Sequence, residues 1–456
     1  MSVDQEALQG GVLCGYAFPR AAHVFARFAD PAAGRRWLAG LAPQVTSAVP
    51  WTAGKPASTL NVALSMPGLR LLGVADDGFP EDFRDGMAAR GERLGDAGPD
   101  HHAGWERGLC DRWAHAVVTV HARDDGDAAL DAAVAALAVP AGVETVVEEL
   151  RVLPEGREHF GFRDGLAQPA IADERAGPWQ GLGTPQPGRK LESWEPVAPG
   201  EFVLGHPSED GELPPAPPAP LDRESSYLVL RKLEQHVATW RSWMLERAGG
   251  DPAAAEALAA RLMGRWPNGT PVARCPQAPD PALDDRALWA PDLDEATRRR
   301  RFALLNDFGY AGDEDGRRCP LTAHIRRSGP RDAFGDGRRS RRHRLVRRGM
   351  PYGPAAPAGR DDDGQRRGLW FACFQSSIVR QFELVQRDWL NDGDAFGLGA
   401  DPDLVAGSGS PEAKAVVRDV GGRPVRVLGP LPRVVTLRGG GYFLAPSRPA
   451  LAALTG

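Results

Sequence analysis

At 456 residues the chain exceeds what one ordinary hydrophobic core organises, so two domains are expected. Its make-up, 42% hydrophobic and 25% charged, is that of a soluble globular protein. A net charge of −5 gives no general reason to expect nucleic acid or an anionic membrane as partner. Cys14, Cys110, Cys275, Cys319 and Cys373 are odd in number, widely spaced and without a CxxC pair, which argues against a disulfide framework and a structural zinc site. The acidic start Met1-Ser2-Val3-Asp4-Gln5-Glu6 carries no apolar signal region, and no run is long enough to span a membrane, so a cytoplasmic location is expected.

In chain order, Gly10–Phe18 reads as a short strand and Ala22–Phe28 as a second apolar stretch. Trp37, Leu38 and Leu41 share one face of a helix over 31–41. A strand over 59–65 and a short helix over 66–72 follow. Residues 114–122 alternate clearly enough to predict a strand, with His115, Val117, Thr119 and His121 on one face. Metal ligation by His115 and His121 is the weaker reading, because histidines on a half-polar strand face seldom bind metal. An alanine-rich helix over 127–138 and a strand over 144–153 complete the first part. No GxGxxG or P-loop follows any of these strands, which weighs against nucleotide-dependent chemistry. The strands are short and half-polar, which favours α+β, with helices on one face of an antiparallel sheet.

Residues 172–222 are rich in Pro, Gly and acid and read as a connector. The rhythm then resumes with a strand over 225–233 and helices over 234–248 and 252–263. A strand is expected over 369–374, a helix over 378–390, and a glycine-turned hairpin from 433–437 and 441–445. Between them, 267–350 holds little regular pattern, and long irregular segments in compact domains are more often functional than structural. Seven arginines crowd into 338–348 (Arg338, Arg339, Arg341, Arg342, Arg344, Arg347 and Arg348), which is either a solvated surface or a site for a clefted anion.

The segment His159-Phe160-Gly161-Phe162-Arg163-Asp164-Gly165-Leu166-Ala167-Gln168-Pro169 places an acid in a turn between two glycines. Alone it fits an Asx-turn, with Asp164 capping its own backbone. Cys319-Pro320-Leu321-Thr322-Ala323-His324-Ile325-Arg326-Arg327 and Leu345-Val346-Arg347-Arg348-Gly349-Met350-Pro351-Tyr352-Gly353 stand further along. Taken in this order, the three segments resemble the dye-decolorizing (DyP-type) haem peroxidases. The likeness extends through Gln9–Leu13, Leu60–Leu64, Gly200–Gly205, Ser226–Leu233 and Asn306–Phe308.

That resemblance implies two ferredoxin-like α+β domains with antiparallel sheets, here 1–170 and 171–456, with the haem cavity mainly in the second. It implies one haem b (iron protoporphyrin IX) per chain and His324 as the proximal iron ligand. Asp164 becomes the distal acid–base group and Arg347 the distal arginine, with Arg348 as the nearest competitor. Glu383, on the helix after the 369–374 strand, would orient His324 through its other ring nitrogen, and Arg326 would pair with the haem propionates. A free aspartate pKa near ~3.9 would then favour activity at acidic pH unless burial raises it. Ser328-Gly329-Pro330-Arg331 stands where the family often has Asn-Pro-Arg, which puts one proximal hydrogen bond in doubt. Bulky donors would deliver electrons through surface aromatics, for which Trp240, Trp243, Trp370, Trp389 and Tyr352 are candidates.

The function implied is oxidation of organic electron donors, such as dyes and phenols, by hydrogen peroxide through a ferryl intermediate. The partners are peroxide and small-molecule reductants, not nucleic acid or membrane, with a homo-oligomer left open. The alternative is a haem-binding transport, storage or sensing protein with adventitious peroxidase activity. Such a carrier needs no distal acid and arginine.

Overall fold

The computed structural model describes residues 2–124, 126–172, 196–335, 337–359, 361–408, 412–418 and 425–456. Most of the expected connector, residues 173–195, lies outside them. Four strands come from the first part: β1 (Arg20–Phe28), β2 (Ser58–Leu64), β3 (Ala116–Ala122) and β4 (Val143–Arg151). The second part supplies β5 (Ser226–Gln235), β6 (Val346–Arg347), β7 (Met350–Tyr352) and β8 (Gly368–Gln375). A two-stranded ribbon, β9 (Ala415–Val417) with β10 (Arg426–Leu428), precedes the long β11 (Val435–Ala445). Nine strands form one antiparallel sheet in the order β4-β1-β3-β2-β11-β5-β8-β6, with β7 also on β8. The two parts meet where Leu444 of β11 pairs with Leu64 of β2. Antiparallel strands and flanking helices give the expected α+β class.

Strand alternation decides what each face buries. Val118, Val120, Val229 and Tyr442 enter a core with Trp37, Leu38 and Leu41 of the helix Pro31–Leu41. Val117, Leu228, Leu230, Trp370 and Phe443 join Phe25 and Val346 in a second core across the other face. That helix starts as its residues require, with Asp30 accepting from Ala33 N and Pro31 at the first position. All five cysteines are free. No helix among the described residues is long and apolar enough to cross a membrane.

Three elements differ from the sequence reading. Gly10–Leu13 is a helical turn, and the strand begins only at Arg20. Gln9 explains the difference: its side-chain amide donates to Val62 O (2.7 Å) and Pro446 O (2.8 Å) and accepts from Val62 N (2.8 Å). A side chain thus takes the ladder bonds a strand would make there. The expected 433–445 hairpin is instead one strand, β11, paired to β5 throughout with a bulge between Leu437 and Gly439. Its glycines serve close approach: a Cβ would sit 2.7 Å from Leu109 at Gly439 and 2.8 Å from Asp111 at Gly441. The helix over Val379–Leu390 is wound with i→i+5 hydrogen bonds, as in Glu383 N donating to Ile378 O (2.9 Å).

The strand histidines are structural. His115 Nδ1 accepts from Phe28 N (3.0 Å), and His121 Nδ1 lies 3.2 Å from Thr59 Oγ1. Burial, with Arg348 nearby, pushes His121 down to about 4, so it stays neutral. No group of three or more His, Cys, Asp or Glu among the described residues could hold a metal.

Candidate active site

A cavity of about 480 Å3 lies against the face of β5 and β8 that carries Arg231, Leu233, Gln235, Leu369 and Phe371. Its size is within the roughly 300–1,000 Å3 of ligand pockets. Asp164, His324 and Arg347 all line it, although 160 residues separate the first two in sequence.

His324 opens a short helix, His324–Ser328, and stays 23% exposed to the cavity. Its Nδ1 lies 2.9 Å from Oδ1 of the fully buried Asp403. Asp403 Oδ1 also accepts from Val405 N (3.0 Å) and Ala406 N (2.7 Å). Burial pushes the Asp403 carboxyl up, but His324, Arg327 and these amides more than offset it and hold it below the usual carboxylate range. A histidine fixed through Nδ1 by an ionised carboxylate keeps Nε2 as the atom able to bind a metal.

On the glycine-bounded loop, Gly161 (φ +99°) and Gly165 (φ +81°) take backbone angles that L side chains rarely adopt. Arg347 Nη1 donates to Asp164 Oδ1, and Arg347 Nη2 donates to Ala167 O (3.2 Å). Gln168 Oε1 accepts from Arg347 N (2.9 Å), which ties the loop to β6. Burial raises the Asp164 pKa; the charge on Arg347, the Gly165 amide and His324 lower it further than that, so it ends below the ordinary value. The neighbouring Arg348 turns the other way, donating to Gly11 O (2.8 Å) and Val12 O (3.1 Å). Between the two adjacent arginines, only Arg347 meets Asp164.

Two expected residues stand elsewhere. Glu383 does not reach His324: its carboxylate accepts from Arg90 Nε (2.5 Å), Arg90 Nη2 (2.7 Å) and the Tyr442 hydroxyl (3.0 Å). The winding of its helix aims it at the sheet core, and the carboxylate on His324 is Asp403. Arg326 is buried away from the cavity, donating to Asp313 Oδ2 (2.9 Å), Asp313 O (2.7 Å) and Cys319 O (2.6 Å). With Arg347 the cavity is lined by Arg163, Arg231, Arg265, Arg331, Arg344 and Arg433, of which Arg163, Arg231 and Arg433 are paired with Asp285, Asp96 and Asp100. Burial pushes Arg265 down to about 9, and burial with Arg331 and Arg347 close by pushes Arg344 well down. Positive charge concentrated on the wall of a cavity suits an anionic ligand. Trp240, Trp243, Trp370, Trp389 and Tyr352 are all buried, so none is the surface aromatic that the electron-relay expectation needs.

A cavity with apolar walls, a carboxylate-held histidine and a cluster of arginines fits a flat, largely apolar metallocycle bearing carboxylates. The residues present therefore suit a haem, with His324 to ligate its iron and an acid and an arginine on the same wall. Comparison with known proteins agrees. The family described as the DyP dimeric alpha+beta barrel domain matches residues 7–147. The chain is 31% identical to a dye-decolorizing peroxidase of Exidia glandulosa, over 100% of this chain and 87% of that one. It is 30% identical to a multifunctional dye peroxidase of an Amycolatopsis species, over 98% and 95%. Among solved structures, a fungal DyP-type peroxidase from Auricularia auricula-judae superposes with TM-score 0.82 at 26% identity, over the full length of both chains. A dye-decolorizing peroxidase in complex with 2,6-dimethoxyphenol superposes with TM-score 0.83 at 25% identity, also over both full lengths. The chain belongs to the dye-decolorizing peroxidase family, whose members are haem-dependent, and it is a peroxidase.

Proposed function

We propose that the chain binds one haem b and uses hydrogen peroxide to oxidise small phenols and dyes, with Asp164, Arg347 and His324 as the working residues. The observation that carries this reading is the Asp164–Arg347 contact on the wall of the cavity that also holds the Asp403-fixed His324. Phenols are inferred from the phenol complex of a similar peroxidase.

His324 would hold the iron, and Arg265, Arg331, Arg344 and Arg347 would face the carboxylates. Haem, when bound, supplies the iron and the electrons that the reductants later replace. Asp164, ionised because Arg347 stands against it, takes a proton from one peroxide oxygen and returns it to the other, which leaves as water. Arg347 stabilises negative charge on the peroxide without giving up its own proton. Asp403 keeps the His324 ring in one orientation and raises its donor strength. We further infer a division into units 1–170 and 171–456, supported by four sheet strands from 20–151 and five from 226–445.

A carrier would need His324 but neither Asp164 nor Arg347. The test uses haem-loaded protein, 2,6-dimethoxyphenol and hydrogen peroxide. Oxidation that requires peroxide, together with retention of haem against apomyoglobin, is the expected result. Ready loss of haem to apomyoglobin without phenol oxidation would establish the carrier instead.

A further inference from the structure

The loop that carries Asp164 is built around a second carboxylate. Glu158 Oε2 accepts from Phe160 N (2.9 Å), and its Oε1 accepts from Phe162 N (2.9 Å). The backbone closes the same ring, with Glu158 N donating to Phe162 O (2.8 Å) and Gly161 N to Glu158 O (2.9 Å). From β5, Gln235 Nε2 donates to Glu158 Oε2 at 2.6 Å. Phe160 stacks on Trp240 at 4.7 Å between ring centroids, and Phe162 meets the same indole edge-on at 6.5 Å. One carboxylate therefore sets the path of 160–162, two residues before Asp164, and both acids line the cavity.

We propose that Glu158 is a positioning residue for peroxide chemistry: its ionised carboxylate clamps the 160–162 backbone and so delivers Asp164 to Arg347. The proposal rests on the reading of Asp164 as the proton-transfer group. An ionised carboxylate accepts up to four hydrogen bonds, and Glu158 takes three N–H donors. Protonation converts one of its oxygens into a donor facing an N–H, so the clamp loosens.

The charged groups around Glu158 are few. On its own loop, His159 is kept neutral by burial while its Nε2 lies 2.9 Å from Tyr352 O, Arg163 is turned to Asp285 (3.3 Å), and the charge on Asp164 bears on Glu158. β5 contributes the neutral Gln235, and β6 contributes Arg347, already engaged by Asp164. Burial pushes Glu158 above its ordinary value although the Gln235, Phe160 and Phe162 hydrogen bonds pull it back, the charge on Asp164 adding a last small push upward, while Asp164 is pushed the other way. Two acids on one cavity with pKa values driven apart take different roles. As pH falls, Glu158 takes its proton first and Asp164 later.

The test is carried out on haem-loaded protein with three variants: Glu158→Gln, Gln235→Leu and Asp164→Asn. Two readings are taken, the stopped-flow rate of the optical change with peroxide across pH, and hydrogen exchange of the 160–166 amides by mass spectrometry. Wild type should show two inflections, the upper one, from Glu158, above the ordinary glutamate range. Glu158→Gln should lack the upper inflection, exchange faster over 160–166, and react about 10- to 100-fold more slowly at neutral pH. Gln235→Leu, which leaves the loop amides in place, should move the upper inflection to higher pH. Wild-type exchange and rate in Glu158→Gln, with a slow Asp164→Asn, would overturn the clamp while leaving the function intact. A fast Asp164→Asn would instead overturn the reading of Asp164. If Glu158→Gln fails to hold haem, Gln235→Leu decides, and an unchanged pH profile in it refutes the proposal.

Discussion

At the scale of single residues, the proposed mechanism needs Asp164 as a carboxylate. Its pKa lies below the ordinary aspartate value once the charge on Arg347 has offset burial. Removing protons therefore helps only until Asp164 has ionised, which happens at low pH. The peroxide step should slow as pH falls through the Glu158 inflection, where the clamp loosens, and fail altogether only below the usual carboxylate range, where Asp164 itself is protonated. Asp164→Asn should keep haem and slow that step by about 10²–10⁴-fold, measured by stopped flow. Asp403→Asn should keep the shape of the bond to His324 but not its charge. Haem affinity is then expected to drop by about 10- to 100-fold in a haem titration. That Asp164, His324 and Arg347 would stand on one cavity was legible because each lies in a contiguous ordered segment. Asp403 was not: it lies 79 residues from His324, in a turn with no distinguishing pattern, and only the folded chain brings it there. Glu383 was the plausible wrong carboxylate, because its direction depends on a helix wound with i→i+5 bonds.

At the scale of elements, the cavity wall depends on how closely β5 and β8 pack. Gly368 opens β8 opposite Glu234, and a Cβ there would lie 1.9 Å from Leu233 O. Gly368→Ala must push the strands apart beside Leu233 and Leu369, both cavity residues. We expect a loss of about 1–3 kcal/mol in denaturant unfolding, with weakened haem retention. Alternation made β2, β3, β4, β5 and β8 readable within a residue or two of their observed bounds. The hairpin expected at 433–445 failed for a physical reason. Glycines that admit Leu109 and Asp111 against β11 look, in sequence, the same as glycines that turn a chain. The cavity arginines were only partly visible: Arg344 and Arg347 stood in the conspicuous run, whereas Arg163, Arg231, Arg265, Arg331 and Arg433 stood outside it.

At the scale of the whole molecule, β11 joins the two parts, pairing along its length with β5 and at Leu444 with β2. Ending the chain before Val435 would divide the sheet and expose both edges. The truncated protein should fail to accumulate as soluble, haem-binding material, whereas a tail ending after Ala445 should fare better. The same joining brings the 164 loop, β6 and the His324 helix to one cavity, and the account stands on that convergence. The most direct test is an optical spectrum of haem-reconstituted protein before and after one equivalent of hydrogen peroxide, for wild type and His324→Ala. The account predicts a haem Soret band that shifts rapidly with peroxide in wild type and is lost or displaced in the variant. An identical spectrum and response in His324→Ala, or a wild-type band that peroxide leaves unchanged, would contradict it.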